Sequence, residues 1–372
     1  MILKKLSLTN FRNIKEQSIE FDKKLNILYG ENGQGKTSIL EAIYILSISK
    51  SFRTNTEKIL LQFEKEFFDI KGFFTNETNR DIFIRIFYSL KDGKNLFLNE
   101  NKLKKYSEII GTTPVILLSL EDLELTYGVP SIRRKFIDIL ISQVNPLYLH
   151  ALQNYKRSIL QRNKLLTLIY EKKESIRSLF PWDEQILKNG SEIITHRLKL
   201  IEYFNSSISK YYKRISDKNE TIKLEYKSRV TRNIDKITID SIKERFSELL
   251  KSEINTDLQK QSTTIGPHRD DIQFYLNDNL IRSFGSQGEN KTFLIALKFL
   301  ESDYIKNSVK SEPIFLMDDI FGELDSKRIE KLTEHVSDLG QTFITTVSKK
   351  KFTESLLQNI NFINIHNGCV VQ

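Results

Sequence analysis

The chain has 372 residues, of which 39% are hydrophobic and 28% are charged, a balance typical of a folded globular protein and not of a disordered one. Its longest apolar runs are too short to cross a bilayer, and its first residues lack a secretory-signal pattern, so we expect a cytoplasmic protein without a membrane partner. The single cysteine, Cys369, excludes an internal disulfide and agrees with a reducing compartment.

The net charge of +9 favours a polyanionic partner such as a nucleic acid. The excess is concentrated in residues 121–260, which hold 26 Lys and Arg against 19 Asp and Glu. On charge alone, a lysine-rich surface that is simply solvated explains this excess equally well.

The hydrophobic pattern changes along the chain. Residues 1–120 are predicted to be mainly strands, because Ile2–Leu8 and Asp81–Leu90 alternate apolar and polar residues. Apolar residues at three- and four-residue spacing then predict helices at Ile132–Val144, Leu147–Ile169, Trp182–Tyr212, Ile239–Ile254 and about 290–306. Alternation returns at Thr221–Val230. The pattern predicts an α/β protein in which 1–120 with 262–372 form a strand-rich head, and 121–261 form a mainly helical inserted lobe.

The segment Gly30–Thr37 matches G-x-x-x-x-G-K-[ST], with a short apolar run before it and an apolar-periodic helix after it. Its residues are Gly30, Glu31, Asn32, Gly33, Gln34, Gly35, Lys36 and Thr37. The glycines allow backbone N–H groups to surround a phosphate chain at a helix N-terminus. Lys36 would neutralise the β- and γ-phosphates, and the Thr37 hydroxyl would bind Mg²⁺. The alternative, a glycine-rich turn that binds nothing, does not account for the strand and helix on either side.

A second motif is the apolar run Ile314–Met317, which is followed directly by two acids, Asp318 and Asp319. Alone, this pattern is weak, since many buried strands end in polar residues. Together with a P-loop it predicts a Walker B element. Asp318 would hold the magnesium shell, and Asp319 would orient or deprotonate the attacking water.

Ser286-Gln287-Gly288-Glu289 opens the predicted helix at 290–306 and precedes the acidic strand by about 30 residues. In this position it matches the signature motif of ABC ATPases, in which Ser286 and Gly288 would contact the γ-phosphate held by a second subunit. Glu323-Leu324-Asp325 stands where such enzymes carry the D-loop. The order of these elements predicts an ABC-type P-loop ATPase head.

Further motifs resemble the RecF family of DNA-repair ATPases. They are Asn10-Phe11-Arg12-Asn13, Ser51-Phe52-Arg53-Thr54, the stretch from Gly128 to Asp138, Arg162–Leu166 and Gly266–Asp271. The resemblance runs from Met1 to about Thr346 and is thin between 167 and 262. It implies an ABC head with a helical second lobe and no long coiled coil, and it places Arg12 in the nucleotide site.

The resemblance also implies a function. RecF proteins use ATP and Mg²⁺, form an ATP-dependent homodimer, and bind DNA at junctions of double and single strands. With RecO and RecR they promote RecA loading at gaps, in replication-linked repair and the SOS response. For this chain, the P-loop and Walker B motifs predict Lys36, Asp318 and Asp319 as catalytic residues. The threonines of Phe343–Thr346, which stand where many ABC ATPases carry a switch histidine, and the acid at Glu289 predict a slow ATPase, which we expect DNA to stimulate. Glu289 departs from the family, which usually carries Gln there.

Several alternatives share the P-loop. Phe343–Thr346 offers threonine where many ABC ATPases carry a switch histidine, which argues against a transporter. The interrupted insert cannot form the coiled coil of an SMC protein, and no N-K-x-D motif supports a GTPase. A DNA clamp that uses ATP only to hold its dimer shares every binding motif and differs only in whether Asp319 acts.

The roles of one basic cluster and of one histidine can each be explained in more than one way. Arg133, Arg134 and Lys135 stand at a helix start, where positive charge opposes the dipole, so we expect a phosphate, a facing subunit or an internal salt bridge as their partner. His268 has no neighbouring metal-ligand cluster and is more simply a loop histidine with local hydrogen bonds.

Overall fold

The computed structural model describes residues 1–322, 325–336, 339–347 and 360–371. The strands in these ranges are β1 Ile2–Phe11, β2 Ile14–Glu20, β3 Leu25–Tyr29, β4 Phe67–Thr75, β5 Asp81–Ser89, β6 Gly93–Leu98, β7 Asn101–Lys102, β8 Val115–Leu118, β9 Ile222–Lys227, β10 Asp271–Leu276, β11 Asn279–Leu280, β12 Ile314–Met317, β13 Thr342–Thr346, β14 Ile360–His366 and β15 Cys369–Val371. The helices are α1 Lys36–Ile48, α2 Glu124–Tyr127, α3 Pro130–Val144, α4 Pro146–Tyr170, α5 Phe180–Asn205, α6 Ile208–Ser216, α7 Ile239–Ser252, α8 Ile254–Lys260, α9 Ile281–Phe284, α10 Gln287–Val309 and α11 Ser326–Val336. Short 3₁₀ helices lie at Glu57–Leu60, Tyr106–Ile109, Leu120–Leu123, Ile176–Leu179 and Ile320–Gly322.

The chain forms two compact units. The first contains Met1–Leu123, Tyr211–Lys218 and Lys291–Gln372, and the second contains Glu124–Lys210 and Asn219–Asn290. The sequence pattern placed residues 262–290 with the head, whereas their contacts group them with the second unit. The reason is strand pairing: β10 pairs antiparallel with β9 from Asp271 opposite Lys227 to Leu276 opposite Ile222.

A mainly parallel sheet forms the centre of the first unit, in the order β15-β14-β3-β13-β12-β8. Its strands run parallel except β15, which forms a hairpin with β14. Every residue of β12 and β13 is buried, as expected for strands covered on both faces. Because β13 pairs with β3 on one side and β12 on the other, the carboxyl ends of these three strands lie side by side.

Helix α1 is buried between this sheet and an antiparallel sheet of order β2-β1-β4-β5-β6-β7. Every residue of α1 except Thr37 is buried, which explains why its sequence is apolar nearly all round. The antiparallel sheet approaches the helix closely at Gly72, where a Cβ atom would lie 2.7 Å from Leu46 Cδ1. The packing on both sides holds α1 in place, and the P-loop ends at the start of this helix.

The second unit is mainly helical and also contains the sheet β11-β10-β9. The predicted helices are confirmed as α3, α4, α5, α7 and α10, although the pattern at Trp182–Tyr212 divides into α5 and α6 at Ser206-Ser207. The longest helices in the described ranges, α4 and α5, have 25 and 26 residues, which is far shorter than an SMC arm.

A buried arginine joins four parts of this unit. Arg162 on α4 is fully buried, and its guanidinium lies 2.6 Å from a carboxylate oxygen of Asp183 on α5 and 2.6 Å from one of Asp257 on α8. It also donates a hydrogen bond of 2.9 Å to the Thr263 hydroxyl. Asp257 is itself fully buried and accepts from the Thr264 backbone N–H at 2.9 Å. This network therefore links α4, α5, α8 and the segment that leads to β10.

We predict that Arg162→Ala lowers the free energy of unfolding of the second unit by about 3–5 kcal/mol, because it leaves the Asp257 carboxylate buried without its cation. Trp182, the only tryptophan of the chain, lies next to Asp183 and reports on this unit. Urea unfolding followed by Trp182 fluorescence measures the change.

Arg157→Ala on the same helix is the matched control, since Arg157 is exposed, and its effect should stay within about 0.5 kcal/mol. Equal urea midpoints for the two variants would contradict a stabilising role for the buried network.

Candidate functional site

The glycines of the P-loop follow β3 directly. A Cβ atom at Gly30 would lie 2.3 Å from the Ile365 carbonyl oxygen, so no larger residue fits there without a backbone shift. Gly35 has a φ of +106° and forms the N-cap of α1. The chain can thus turn tightly from β3 into α1, with the N-terminal end of the helix facing the turn.

Lys36 lies inside this turn and is buried. Its ammonium donates hydrogen bonds of 2.7 Å to the carbonyl oxygens of Gly30 and Glu31. Burial lowers the pKa of Lys36, while the negative charges of Asp319 and Asp318 act in the opposite direction. The structure therefore brings the P-loop lysine and both predicted carboxylates into one electrostatic environment.

Three oxygen groups meet where β3, β13 and β12 end. The Thr37 hydroxyl donates to Asp318 Oδ1 at 2.9 Å, and the Thr345 hydroxyl donates to the same oxygen at 2.8 Å. Burial raises the pKa of Asp318, and these two hydrogen bonds oppose that shift. Mg²⁺ prefers hard oxygen ligands and often takes only one or two carboxylates from a protein, so Thr37 and Asp318 fit this ion.

Asp319 turns towards the same place through an uncommon backbone conformation. Its φ is +50°, in the left-handed region that Asp tolerates better than most residues. Its backbone N–H donates to the Thr345 hydroxyl at 2.8 Å. Thr345 thus holds both carboxylate residues. The sequence alone does not indicate this role, because its only signal at Thr345 is a threonine where many ABC ATPases carry a switch histidine.

Arg12 lies beside the P-loop and is held by a buried acid. Its guanidinium donates two hydrogen bonds to Glu41 of α1, of 2.7 and 2.8 Å, and one of 3.2 Å to the Ile59 carbonyl. Glu41 is fully buried and also accepts from the Ser51 hydroxyl, with Arg53 at 3.5 Å. The sequence signal for Glu41 was one acid within an otherwise apolar stretch of helix.

Residues from other segments of the chain also form hydrogen bonds to the P-loop. The Gln34 carbonyl accepts from Gly368 N–H at 2.9 Å, and its side-chain oxygen accepts from Asn367 N–H at 2.5 Å, so the turn between β14 and β15 supports the loop. The side chain of Asn13 donates to the Gly33 carbonyl at 3.2 Å. Gln34 is one of the predicted nucleotide-binding residues, and its side chain is engaged with this hairpin.

A cavity of about 640 Å³ opens in front of these groups. It is lined by Arg12, Asn13, Asn32, Gly33, Gly35, Lys36, Thr37, Ser38, Arg53, Ile59, Leu61, Gln62, Phe63, Asp319 and Thr345. Such a volume suits a small-molecule ligand, and its combination of P-loop backbone, lysine and carboxylates suits a nucleoside triphosphate with a divalent cation.

The predicted signature residues Ser286 and Gly288 lie in the second unit, at the start of α10. The Ser286 backbone N–H donates to the Glu289 carboxylate at 2.8 Å, and Glu289 N–H donates to the Ser286 hydroxyl at 3.3 Å. This reciprocal pair is a capping box, so Glu289 has a structural role where the RecF family usually has Gln.

The predicted D-loop is only partly described. Glu323 and Leu324 lie outside the described residues. Asp325 caps α11, since its carboxylate accepts from Arg328 N–H at 2.9 Å.

Arg133 and Arg134 are both engaged within their own unit. Arg133 makes two hydrogen bonds to the Asp271 carboxylate, of 2.8 and 3.0 Å, and Arg134 donates to the Asp270 carbonyl at 2.7 Å. Of the partners considered for this cluster, the internal salt bridge is the one that the structure contains for Arg133.

His268 is a loop histidine with local hydrogen bonds. Its Nε2 donates to the Thr263 carbonyl at 3.0 Å, and its Nδ1 accepts from the Tyr155 hydroxyl at 2.7 Å. Burial lowers the pKa of His268 to about 4, which keeps the ring neutral at physiological pH. Within the described ranges, no cluster of three or more His, Cys, Asp or Glu side chains could hold a metal ion.

Comparisons with known proteins agree with this site. Residues 2–370 match the model of the RecF/RecN/SMC N-terminal domain. Over 368 residues the chain is 38% identical to the DNA replication and repair protein RecF of Streptococcus gordonii, covering 99% of each protein. It is 37% identical over 370 residues to RecF of Streptococcus agalactiae, covering all of this chain and 98% of that protein.

Solved structures give the same result. A RecF with bound ATPγS, described as the recombination mediator protein in the RecFOR pathway, has a TM-score of 0.92 and 32% identity, over 99% of this chain and 97% of that one. The Smc head domain from Pyrococcus furiosus shares the fold, with a TM-score of 0.57 and 17% identity over 99% of this chain and 94% of that one. The predicted ABC-type ATPase head is therefore confirmed. Among the described helices, none is both long and apolar enough to span a membrane.

We predict that Glu41→Gln lowers the free energy of unfolding by about 2–3 kcal/mol, because the charge that Arg12 and Arg53 face is lost inside the protein. Urea unfolding followed by far-UV circular dichroism measures the change. Glu16→Gln is the matched control, since Glu16 is exposed on β2. A loss no greater than that of Glu16→Gln would show that the buried carboxylate is not needed.

Proposed function

Because the chain belongs to the RecF family, we propose that it is an ATP-dependent DNA-binding protein of recombinational gap repair and replication restart. The observation that supports this most directly is the cavity in which the P-loop, Lys36, Asp319 and Thr345 converge. We also propose that the first compact unit is the ATP-binding head and that the second is the helical second lobe.

ATP would lie with its phosphates against Gly30–Thr37, where backbone N–H groups at the start of α1 and the Lys36 ammonium supply positive charge. Mg²⁺ would be held by the Thr37 hydroxyl and the Asp318 carboxylate, and when bound it would neutralise charge on the β- and γ-phosphates. Arg12, fixed by Glu41 at the cavity wall, would add a further positive charge to the nucleotide site.

Hydrolysis would depend on Asp319. Asp319 lines the cavity, and the Thr345 hydroxyl accepts a hydrogen bond from its backbone N–H. Its carboxylate would orient an attacking water and accept a proton from it. We propose a slow ATPase that DNA stimulates.

ATP would also hold two copies of the chain together. In this arrangement Ser286, the Gly288 backbone and the start of α10 in one copy would contact the γ-phosphate bound by the other. The homodimer would bind gapped or junction DNA through its basic surface, contacting both double- and single-stranded segments, and hydrolysis would release it.

RecR is the proposed direct partner, with RecO and RecA in the same pathway. The dimer would promote RecA loading and thereby the SOS response, in the cytoplasm. A clamp that binds ATP without hydrolysing it is the second candidate, because it uses the same binding groups.

We predict that ATP drives the wild-type protein, but not Lys36→Met, into a dimer on gapped duplex DNA, because an uncharged methionine side chain cannot neutralise the triphosphate. Sedimentation with and without ATP distinguishes the 43.6 kDa chain from its dimer. Lys15→Met is the matched control, since Lys15 is exposed on β2, and it should behave as wild type.

Raising the salt from about 50 to 200 mM should weaken DNA binding at least about tenfold, as counterion release requires. DNA binding that responds to neither ATP nor salt would contradict the proposal.

We predict that Asp319→Asn lowers ATP turnover about 100-fold while ATP-dependent dimerisation remains, because the amide keeps the shape but cannot accept the proton. Phosphate release measured beside sedimentation separates the two effects. Asp235→Asn, at an exposed position in the second unit, is the control. Equal turnover of Asp319→Asn and wild type would favour the clamp that does not depend on hydrolysis.

A further inference from the structure

One wall of the site cavity is apolar. Ile59, Leu61 and Phe63 form this wall, and the polar groups of the P-loop, Asp319 and Thr345 line the same cavity. The side chains of Ile59 and Phe63 are 55% and 85% exposed. Several exposed large apolar side chains at the wall of a polar cavity suit a flat, partly apolar ligand group.

The segment that carries this wall is fixed to the end of β1. Gln62 N–H donates to the Asn10 carbonyl at 2.9 Å, Arg12 N–H donates to the Leu60 carbonyl at 2.8 Å, and Leu61 forms an antiparallel bridge with Phe11. Arg12 is in turn held by Glu41 of α1. The apolar wall and the P-loop are therefore positioned by the same helix, which is the rigidity that a recognition site requires.

Gln62 lies within this wall, and its side-chain oxygen is buried without a hydrogen-bond partner in the part of the chain that the structure describes. A buried acceptor without a partner is unfavourable by about 1–3 kcal/mol. Because no described residue donates a hydrogen bond to this oxygen, a side-chain rotation that turns the oxygen to the cavity breaks no hydrogen bond that the oxygen accepts.

A glutamine amide carries a donor and an acceptor side by side. Adenine presents a complementary pair on one edge, the N6 amino donor beside the N7 acceptor, and this is the pairing by which Gln recognises adenine in DNA. Guanine presents two acceptors, O6 and N7, on the same edge, so one atom of the amide would face a group of the same kind.

We infer that Gln62 is the residue that selects adenine over guanine nucleotides, by accepting a hydrogen bond from the N6 amino group while Ile59, Leu61 and Phe63 contact the face of the base. This inference rests on the proposed function, because it requires the phosphates of the same nucleotide to lie on the P-loop. It adds a base-reading group to a site in which Lys36, Thr37 and Asp318 are proposed to act on the phosphates and the metal.

The test compares the affinities of the full-length protein for ATP, GTP and purine riboside triphosphate, which lacks only the N6 amino group of ATP. Titration calorimetry in Mg²⁺ gives each dissociation constant for wild type, Gln62→Leu, Lys36→Ala and the matched control Gln161→Leu, at an exposed position on α4. For wild type and Gln161→Leu, we expect ATP to bind about tenfold more tightly than either of the other two ligands. For Gln62→Leu, the three affinities should fall within about twofold of one another.

Equal binding of ATP and purine riboside triphosphate by wild type would overturn the inference. So would an unchanged tenfold preference in Gln62→Leu. Circular dichroism and the retained affinity of Gln62→Leu for purine riboside triphosphate show that the variant is folded. Triphosphate binding that is unaffected by Lys36→Ala would overturn the proposed function itself, and the inference with it.

Discussion

The pairing of β13 with β3 on one side and β12 on the other determines where the chemistry of the molecule lies. The carboxyl ends of parallel strands lie at the same edge of a sheet, so this pairing places the P-loop, Thr345 and the two carboxylates together. In sequence, the carboxylates follow the P-loop by about 280 residues, and Thr345 follows it by about 310. Thr345 fixes the relative positions of the two carboxylate residues. Its hydroxyl donates a hydrogen bond to the Asp318 carboxylate and accepts one from the Asp319 backbone N–H. The complete burial of β12 and β13 leaves these strands little freedom to shift register.

The second constraint is the burial of α1 between two sheets. A helix packed on both faces can include a carboxylate only if cations and hydroxyl groups surround it, and Glu41 has Arg12, Arg53 and Ser51. This ion-pair cluster has a consequence beyond stability, because it fixes Arg12 at the cavity wall. Arg12 has a positive φ of 55°, a conformation that is uncommon for residues other than glycine and that the surrounding contacts maintain.

The parts of the site that the sequence predicted are those in which neighbouring residues carry the whole signal. Gly30–Thr37 is one continuous segment, and the apolar strand is followed directly by Asp318. In each case the local backbone geometry links the sequence pattern to its chemistry. The ABC-type fold followed from the order of such motifs. Glu41 and Thr345 were not predicted as site residues, because each acquires its partners through strand pairing or helix packing between distant segments. The contacts group residues 262–290 with the second unit through the pairing of β10 with β9, and sequence alternation predicts the strand at Thr221–Val230 but not the partner of that strand.

The acid at Glu289 shows how a departure from a family motif can follow from local physics. Its carboxylate accepts a hydrogen bond from the Ser286 backbone, which satisfies one of the N–H groups at the start of α10 that no helical carbonyl can reach. A negative charge at this end also favours the helix dipole, so Glu289 stabilises α10. The same charge lowers the positive potential that a helix N-terminus offers to an anion. In the proposed dimer, the stability of α10 and the attraction of its N-terminus for the γ-phosphate are therefore opposed at this residue.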